Sequence, residues 1–183
     1  MKSNPYTSGY SELLMRELSR TNMDYVAHCV GNDKDSFAGL MDIVLYGKPP
    51  VVQRAAWAMT ACLEKYPYLI DPYVGLLIER LPILKPDGVK RQVVKAVSGL
   101  DIPEVAQGTL ADICFEWLQS AEIQVAVKVH CMQILANLVT QYPDLATELQ
   151  VAIREQIPRN SVAFASRAKK ILSLLEKKDS SSV

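Results

Sequence analysis

The chain has 183 residues, the length of one domain or two small ones. Lys plus Arg number 20 and Asp plus Glu number 20, so the formal charge is zero and no global field draws the molecule to nucleic acid or an anionic membrane. With 49% hydrophobic and 22% charged residues the composition excludes a mostly disordered chain, and only 8 glycines in the whole sequence lean it toward helix.

Met1 to Gly9 is polar and holds Pro5, without the charged region and apolar run of a secretory signal, so a cytoplasmic location is expected. Helical apolar spacing then recurs at about 9–18, 21–31, 33–46, 51–65, 71–82, 87–100, 103–119, 122–140, 144–157 and 161–177, and no stretch sustains the period of a strand. The prolines at 49, 50, 67, 82, 86, 103, 143 and 158 fall between these runs, whereas Asp71-Pro72 reads as an N-cap with a first-turn proline, opening a helix. Val129 to Pro143, the longest uncharged stretch, is too short and too polar to span a bilayer, so no membrane partner is expected. Cys29, Cys62, Cys114 and Cys131 form no CxxC pair and lie within helical patterns, which predicts reduced, packed thiols. Residues 179–183 are expected to be a disordered polar tail.

Tyr66-Pro67 through Leu81-Pro82 superimposes without a gap on Tyr142-Pro143 through Ile157-Pro158, an offset of 76 that also carries Arg91 onto Arg167. An offset of 37 takes Arg54 to Arg91, so the basic unit is a helix pair of about that length. A two-helix period in this range is the signature of an α-solenoid, where each pair buries its apolar face against its neighbours. With the first helix of each pair called A and the second B, four pairs fill 33–177 and residues 1–32 form an N-terminal helical cap. Together, 1–178 is expected to be a single all-α domain.

The runs Pro50-Val51-Val52-Gln53-Arg54-Ala55-Ala56-Trp57-Ala58-Met59 and, more loosely, Gly88-Val89-Lys90-Arg91-Gln92-Val93-Val94-Lys95-Ala96-Val97 resemble the HEAT-like family. The resemblance covers about 33–177 and implies an α-α superhelix of the HEAT or armadillo type. Through Arg54-Ala-Ala-Trp57, Cys114-Phe-Glu-Trp117-Leu118 and the run from Ala163 to Leu172 the chain is also similar to short bacterial HEAT-like proteins without an assigned role. Some of these carry the label adenylosuccinate lyase, but the Met-Pro-x-Lys-x-Asn-Pro type signature of that lyase family does not occur here.

A helical wheel separates the core stripe of each B helix from its opposite face. In the first, Val52, Ala55, Ala56, Met59, Cys62 and Leu63 cluster and leave Trp57 nearly opposite, flanked by Arg54. In the second, Arg91 and Lys95 lie opposite the core, with Lys90 to one side. The third is apolar nearly all round, Val125, Val129 and Met132 standing opposite its core stripe, and the fourth turns Lys170 outward. B segments hold 10 Lys or Arg against 4 acids and A segments 3 against 11, a split that remains when the helix ends are set aside.

In HEAT-like solenoids the B helices line the concave side, so the resemblance implies a basic groove carrying Trp57 and an apolar band. Two readings stand for several of these residues. Arg54, Arg91 and Arg167 either face a ligand or pair with the loop acid of a neighbouring repeat. Trp57 is either exposed or packed on an adjacent helix, and Val125, Val129 and Met132 are either groove or inter-helix core. The expected function is a non-enzymatic scaffold that binds a protein or an acidic amphipathic peptide through Arg54, Trp57, Lys90, Arg91, Lys95, Val125, Val129, Met132 and Lys170.

The alternative is a nucleic-acid module, because a HEAT-like alkylpurine DNA glycosylase places an Asp with aromatics in a basic groove. Trp57 and the lysines resemble half of that site, but the interior of the B helices holds no carboxylate. Metal binding is not expected, since His28-Cys29 and His130-Cys131 are adjacent pairs whose side chains diverge by about 100° on a helix. No phosphate loop, dinucleotide fingerprint or GxSxG motif occurs, so neither cofactor nor catalytic residues are expected.

Overall fold

The computed structural model describes residues 4–179, whose regular structure is helical throughout. The first three helices are α1 (Pro5–Arg16), α2 (Arg20–Val30) and α3 (Lys34–Tyr46). Side-chain oxygens of Asn4, Ser19 and Asp33 accept the backbone N–H of Tyr6, Asn22 and Ser36, satisfying donors that a helix start leaves open. Pro5 brings the φ a first turn requires and lacks an N–H that would need a partner, so α1 starts ahead of its apolar spacing. Gly31, at φ 59°, ends α2 in a conformation that a side chain would strain.

After α4 (Val51–Leu63) the chain winds a 3-10 helix over Pro67–Tyr73, then α5 (Val74–Arg80), a 3-10 turn at Leu81–Ile83 and α6 (Asp87–Val97). Pro72 therefore does not open an α-helix as the sequence suggests. It lies inside the 3-10 run that Pro67 begins, where an α-helix would lose a hydrogen bond and press the ring on the carbonyl of residue 68. The remaining elements are α7 (Glu104–Gln119), α8 (Val125–Leu138), α9 (Leu145–Gln156), a 3-10 turn at Ile157–Arg159 and α10 (Val162–Asp179). Asp179, expected to open the tail, is instead the last residue of α10, and the rest of the expected tail, 180–183, lies outside the described residues.

The chain divides into two compact units, Met1–Ala96 and Val97–Val183. In the first, α1 packs on α2, α3 and α4, and α4 also packs on α2 and α3. Phe37, Leu40, Met41, Met59, Leu77 and Ile78 form its buried centre, each worth about 1.5–3 kcal/mol on leaving water. Ala55, Ala56 and Ala58 are fully buried on α4, and their small size lets neighbouring helices approach its backbone. In the second unit α8 is central, packed on α7, α9 and α10 around Leu110, Cys114, Met132, Leu135, Leu149 and Phe164.

The 76-residue repeat is visible in the local structure of both units. The turns Leu81–Ile83 and Ile157–Arg159 are both 3-10 and both carry proline second, Pro82 and Pro158. Where the first copy has Pro72 the second has Glu148, which is why α9 runs unbroken through the stretch that the first copy divides. Before the last helix of each copy the register slips, because α6 begins at Asp87 and α10 at Val162, 75 residues later. The buried faces follow the slip, Val89 and Val93 answering to Phe164 and Ala168. No helix among the described residues is long and apolar enough to cross a membrane.

Candidate functional site

The first unit carries a cleft of about 320 Å³ lined by Leu18, Pro50, Gln53, Arg54, Trp57, Gly88, Arg91 and Gln92. Pro50, Gln53, Arg54 and Trp57 follow one stripe along the start of α4, and Gly88, Arg91 and Gln92 follow one stripe along α6. Leu18 reaches the cleft from the turn between α1 and α2 and is 66% exposed, a large aliphatic surface in water. Trp57 is half-buried, between the two readings its wheel position allowed. Gly88 contributes no side chain, and a Cβ there would meet nothing within 4 Å, which keeps that wall open.

The two arginines of the cleft are held differently. Arg54 is half-buried and its Nη1 donates to the Leu14 carbonyl at 2.9 Å, so it pairs with a helix-end carbonyl rather than a loop acid. That bond covers one of the carbonyls that the last turn of α1 leaves open. Arg91 is exposed and, among the described residues, has no ion-pair partner. Gln92, beside it, accepts a hydrogen bond from Thr60 at 3.4 Å, tying α6 to α4. No acidic side chain lines the cleft.

Around it, Lys95 is exposed on α6. Lys90, expected among the binding residues, has a side chain only 13% exposed, with its Nζ 3.7 Å from Asp87 Oδ1. In the second unit Lys170 is exposed and Val125 and Val129 are half-buried. Met132 is fully buried and leaves the expected exposed band, since neighbouring helices cover more than one face of α8. Arg167 also differs from Arg91, the residue it matches at 76. It is half-buried, and its guanidinium donates to Gln133, the repeat equivalent of Trp57. The one-residue slip before α10 explains this, since by helix register Arg167 answers to Gln92 and Arg91 to Ser166.

Lys128, one of the basic residues of the third B segment, is only 4% exposed and donates to Gln156 Oε1 at 3.1 Å, so its charge does not belong to a surface. Burial, with Arg159 nearby, pulls its amine below the ordinary lysine value. Of the cysteines, Cys29 is exposed and the other three are buried, with burial pushing the Cys62 thiol up to about 12. The second unit has a cavity of about 340 Å³, but its carboxamides are engaged internally. Gln107 Nε2 donates to the Ile102 carbonyl at 2.8 Å and to Gln141 at 3.1 Å, and the Tyr142 hydroxyl donates to Gln107 Oε1 at 2.7 Å. Among the described residues no cluster of His, Cys, Asp or Glu is arranged to hold a metal ion.

Leu18, Gln53 and Gln92 were not singled out in the sequence. Gln53 and Gln92 were legible as neighbours of Arg54 and Arg91 on the same helices, whereas Leu18 carries no local signal, being a lone apolar residue in a turn.

Paired helices, a repeat with matching turns and an open cleft between second helices of successive pairs define a helical-repeat protein. A model of the HEAT repeat domain matches residues 10–175, and the chain belongs to that family, whose repeats generally serve as protein-interaction scaffolds. No curated protein and no solved structure shows a significant match to the chain.

Proposed function

We propose that this protein is a non-enzymatic scaffold that binds a partner protein through the cleft of its first unit, with Arg54, Trp57 and Arg91 at the centre and Lys90 and Lys95 beside it. The single observation that carries this reading is that Trp57 and Arg91 line one cleft that no acidic side chain closes. Trp and Arg are the residue types most enriched where binding energy concentrates, because each offers broad contact and a directional donor. Aliphatic Leu18 beside two guanidiniums suits an acidic amphipathic segment better than a nucleic-acid backbone, which spreads its charge along a row of phosphates.

Affinity capture with the intact chain, Trp57→Ala and Arg91→Glu tests the reading, circular dichroism confirming that both variants fold. Partners recovered by the intact chain and lost from both variants support the site. Equal recovery by all three proteins places binding elsewhere, and recovery of nucleic acid in place of protein rejects a protein partner.

A further inference from the structure

The cleft is small, and its chemistry is divided. At about 320 Å³ it sits at the low end of ligand pockets, with room for one or two side chains rather than a folded surface. Leu18 and Trp57 supply apolar surface, while Arg54, on the same stripe of α4 as Trp57, and Arg91 on α6 supply the cations. One Arg54 donor is already committed to the Leu14 carbonyl. Arg91 therefore offers the complete fork of donors, which matches the two coplanar oxygens of a carboxylate. The repeat-equivalent position of the second unit is occupied differently, because Gln133 stands where Trp57 would be and takes the Arg167 guanidinium.

We infer that the cleft reads a two-point element of a partner chain, one carboxylate on Arg91 and an adjacent aliphatic side chain between Leu18 and Trp57, and that each chain carries one such site. The inference rests on the proposed protein-binding reading and adds the ligand's chemistry and stoichiometry to it. Arg91 sets the preference for a carboxylate, since an uncharged amide of the same shape offers one acceptor and no charge to its fork. Trp57 and Leu18 set the preference for an apolar neighbour, since glycine would leave both in water. A phosphoserine would present a third oxygen and nearly a second charge, for which no further fully available guanidinium lines the cleft.

The probes are five acetylated and amidated peptides, identical except for a central Glu-Leu, Gln-Leu, Lys-Leu, phosphoserine-Leu or Glu-Gly. Trp117 is buried, so the change in tryptophan emission and the indole N–H signal of Trp57 report on the cleft. Glu-Leu is expected to bind with one peptide per chain, and Gln-Leu and Glu-Gly about tenfold more weakly, the scale of one charge-assisted hydrogen bond or one aliphatic contact. Arg91→Gln is expected to bring Glu-Leu and Gln-Leu to within about twofold of each other, while Arg167→Gln in the second unit leaves Glu-Leu affinity unchanged. Tighter binding of the phosphoserine peptide, equal binding of Glu-Leu and Gln-Leu, two peptides per chain, or no binding at millimolar peptide each overturns the inference. If the peptides fail while Trp57→Ala and Arg91→Glu still abolish partner capture, the site stands and its assigned ligand is wrong. If capture is untouched as well, both readings fall.

Discussion

Gly39 sits inside α3 where any residue type but proline is expected to form a better helix, and replacing it tests how α1 is docked. A Cβ at this position would lie 2.7 Å from Tyr6 Cβ and 2.9 Å from Asn4 Oδ1, both on or capping α1. Carbon atoms in contact rest about 3.5–4.0 Å apart, so α1 would have to retreat by about 1 Å. That helix anchors Tyr10 and Leu14 in the core, hydrogen-bonds Ser36 through the Tyr10 hydroxyl and holds Arg54 through the Leu14 carbonyl. Two buried side chains at about 2 kcal/mol each and two hydrogen bonds at about 1 kcal/mol each give about 6 kcal/mol of docking. A gap of that width forfeits roughly a quarter to a half of a contact, hence about 1.5–3 kcal/mol, against about 1 kcal/mol gained in helix propensity.

Gly39→Ala is therefore expected to destabilise by about 0.5–2 kcal/mol and to lower the melting temperature by about 1–8 °C. The matched control is Gly108→Ala in α7, where a Cβ meets nothing within 4 Å and only the propensity gain of up to about 1 kcal/mol remains. Thermal melts followed by circular dichroism give both signs, and amide exchange gives the location, which should be α1. A Gly39→Ala protein that melts at or above the unaltered chain would refute the close packing of α1 on α3.

Lys128→Met is expected to raise stability by about 1 kcal/mol near neutrality, since it removes a buried charge while Asn160 still donates to Gln156 Oε1 at 3.2 Å. Folding lowers the Lys128 value, so the cost of its ammonium is complete below that lowered value and fades as pH rises toward the ordinary lysine value. The gain from Lys128→Met should accordingly shrink in melts at alkaline pH, and a constant gain would contradict the assignment. Gln107→Leu strands the Ile102 carbonyl and removes the acceptor of the Tyr142 hydroxyl, which predicts a loss of about 1–3 kcal/mol in urea titration. In the folded protein a disulfide reagent should modify Cys29 quickly and the three buried thiols only with unfolding, and a second fast thiol would show that a buried helix face opens.

Helix existence was legible because apolar spacing and the prolines between the runs agree along most of the chain. Pro72 misled because the same dipeptide that starts a helix also fits inside a 3-10 run already begun at Pro67, and the choice depends on five preceding residues. That Trp57 and Arg91 stand off the buried stripe of their helices was legible from a wheel, since position relative to a core stripe is a local property. A wheel left Met132 open between groove and core and gave no sign that Lys128 is buried, because it describes one helix, whereas their burial comes from the several helices packed on α8. The match of Arg91 to Arg167 failed for the smallest of reasons, one residue fewer in the turn before α10, which rotates every following side chain by about 100°.

The hydrogen bond from Arg54 to the Leu14 carbonyl joins residues 40 positions apart. The α1 helix ends at Glu17 in extended backbone, without the glycine that often closes a helix from within. A growing polypeptide that has released only its first three helices still lacks this guanidinium and the face of α4 on which α1 and α2 rest. The α1 helix can therefore reach its full set of contacts only once α4 is in place, although α2 and α3 already offer it part of its packing surface.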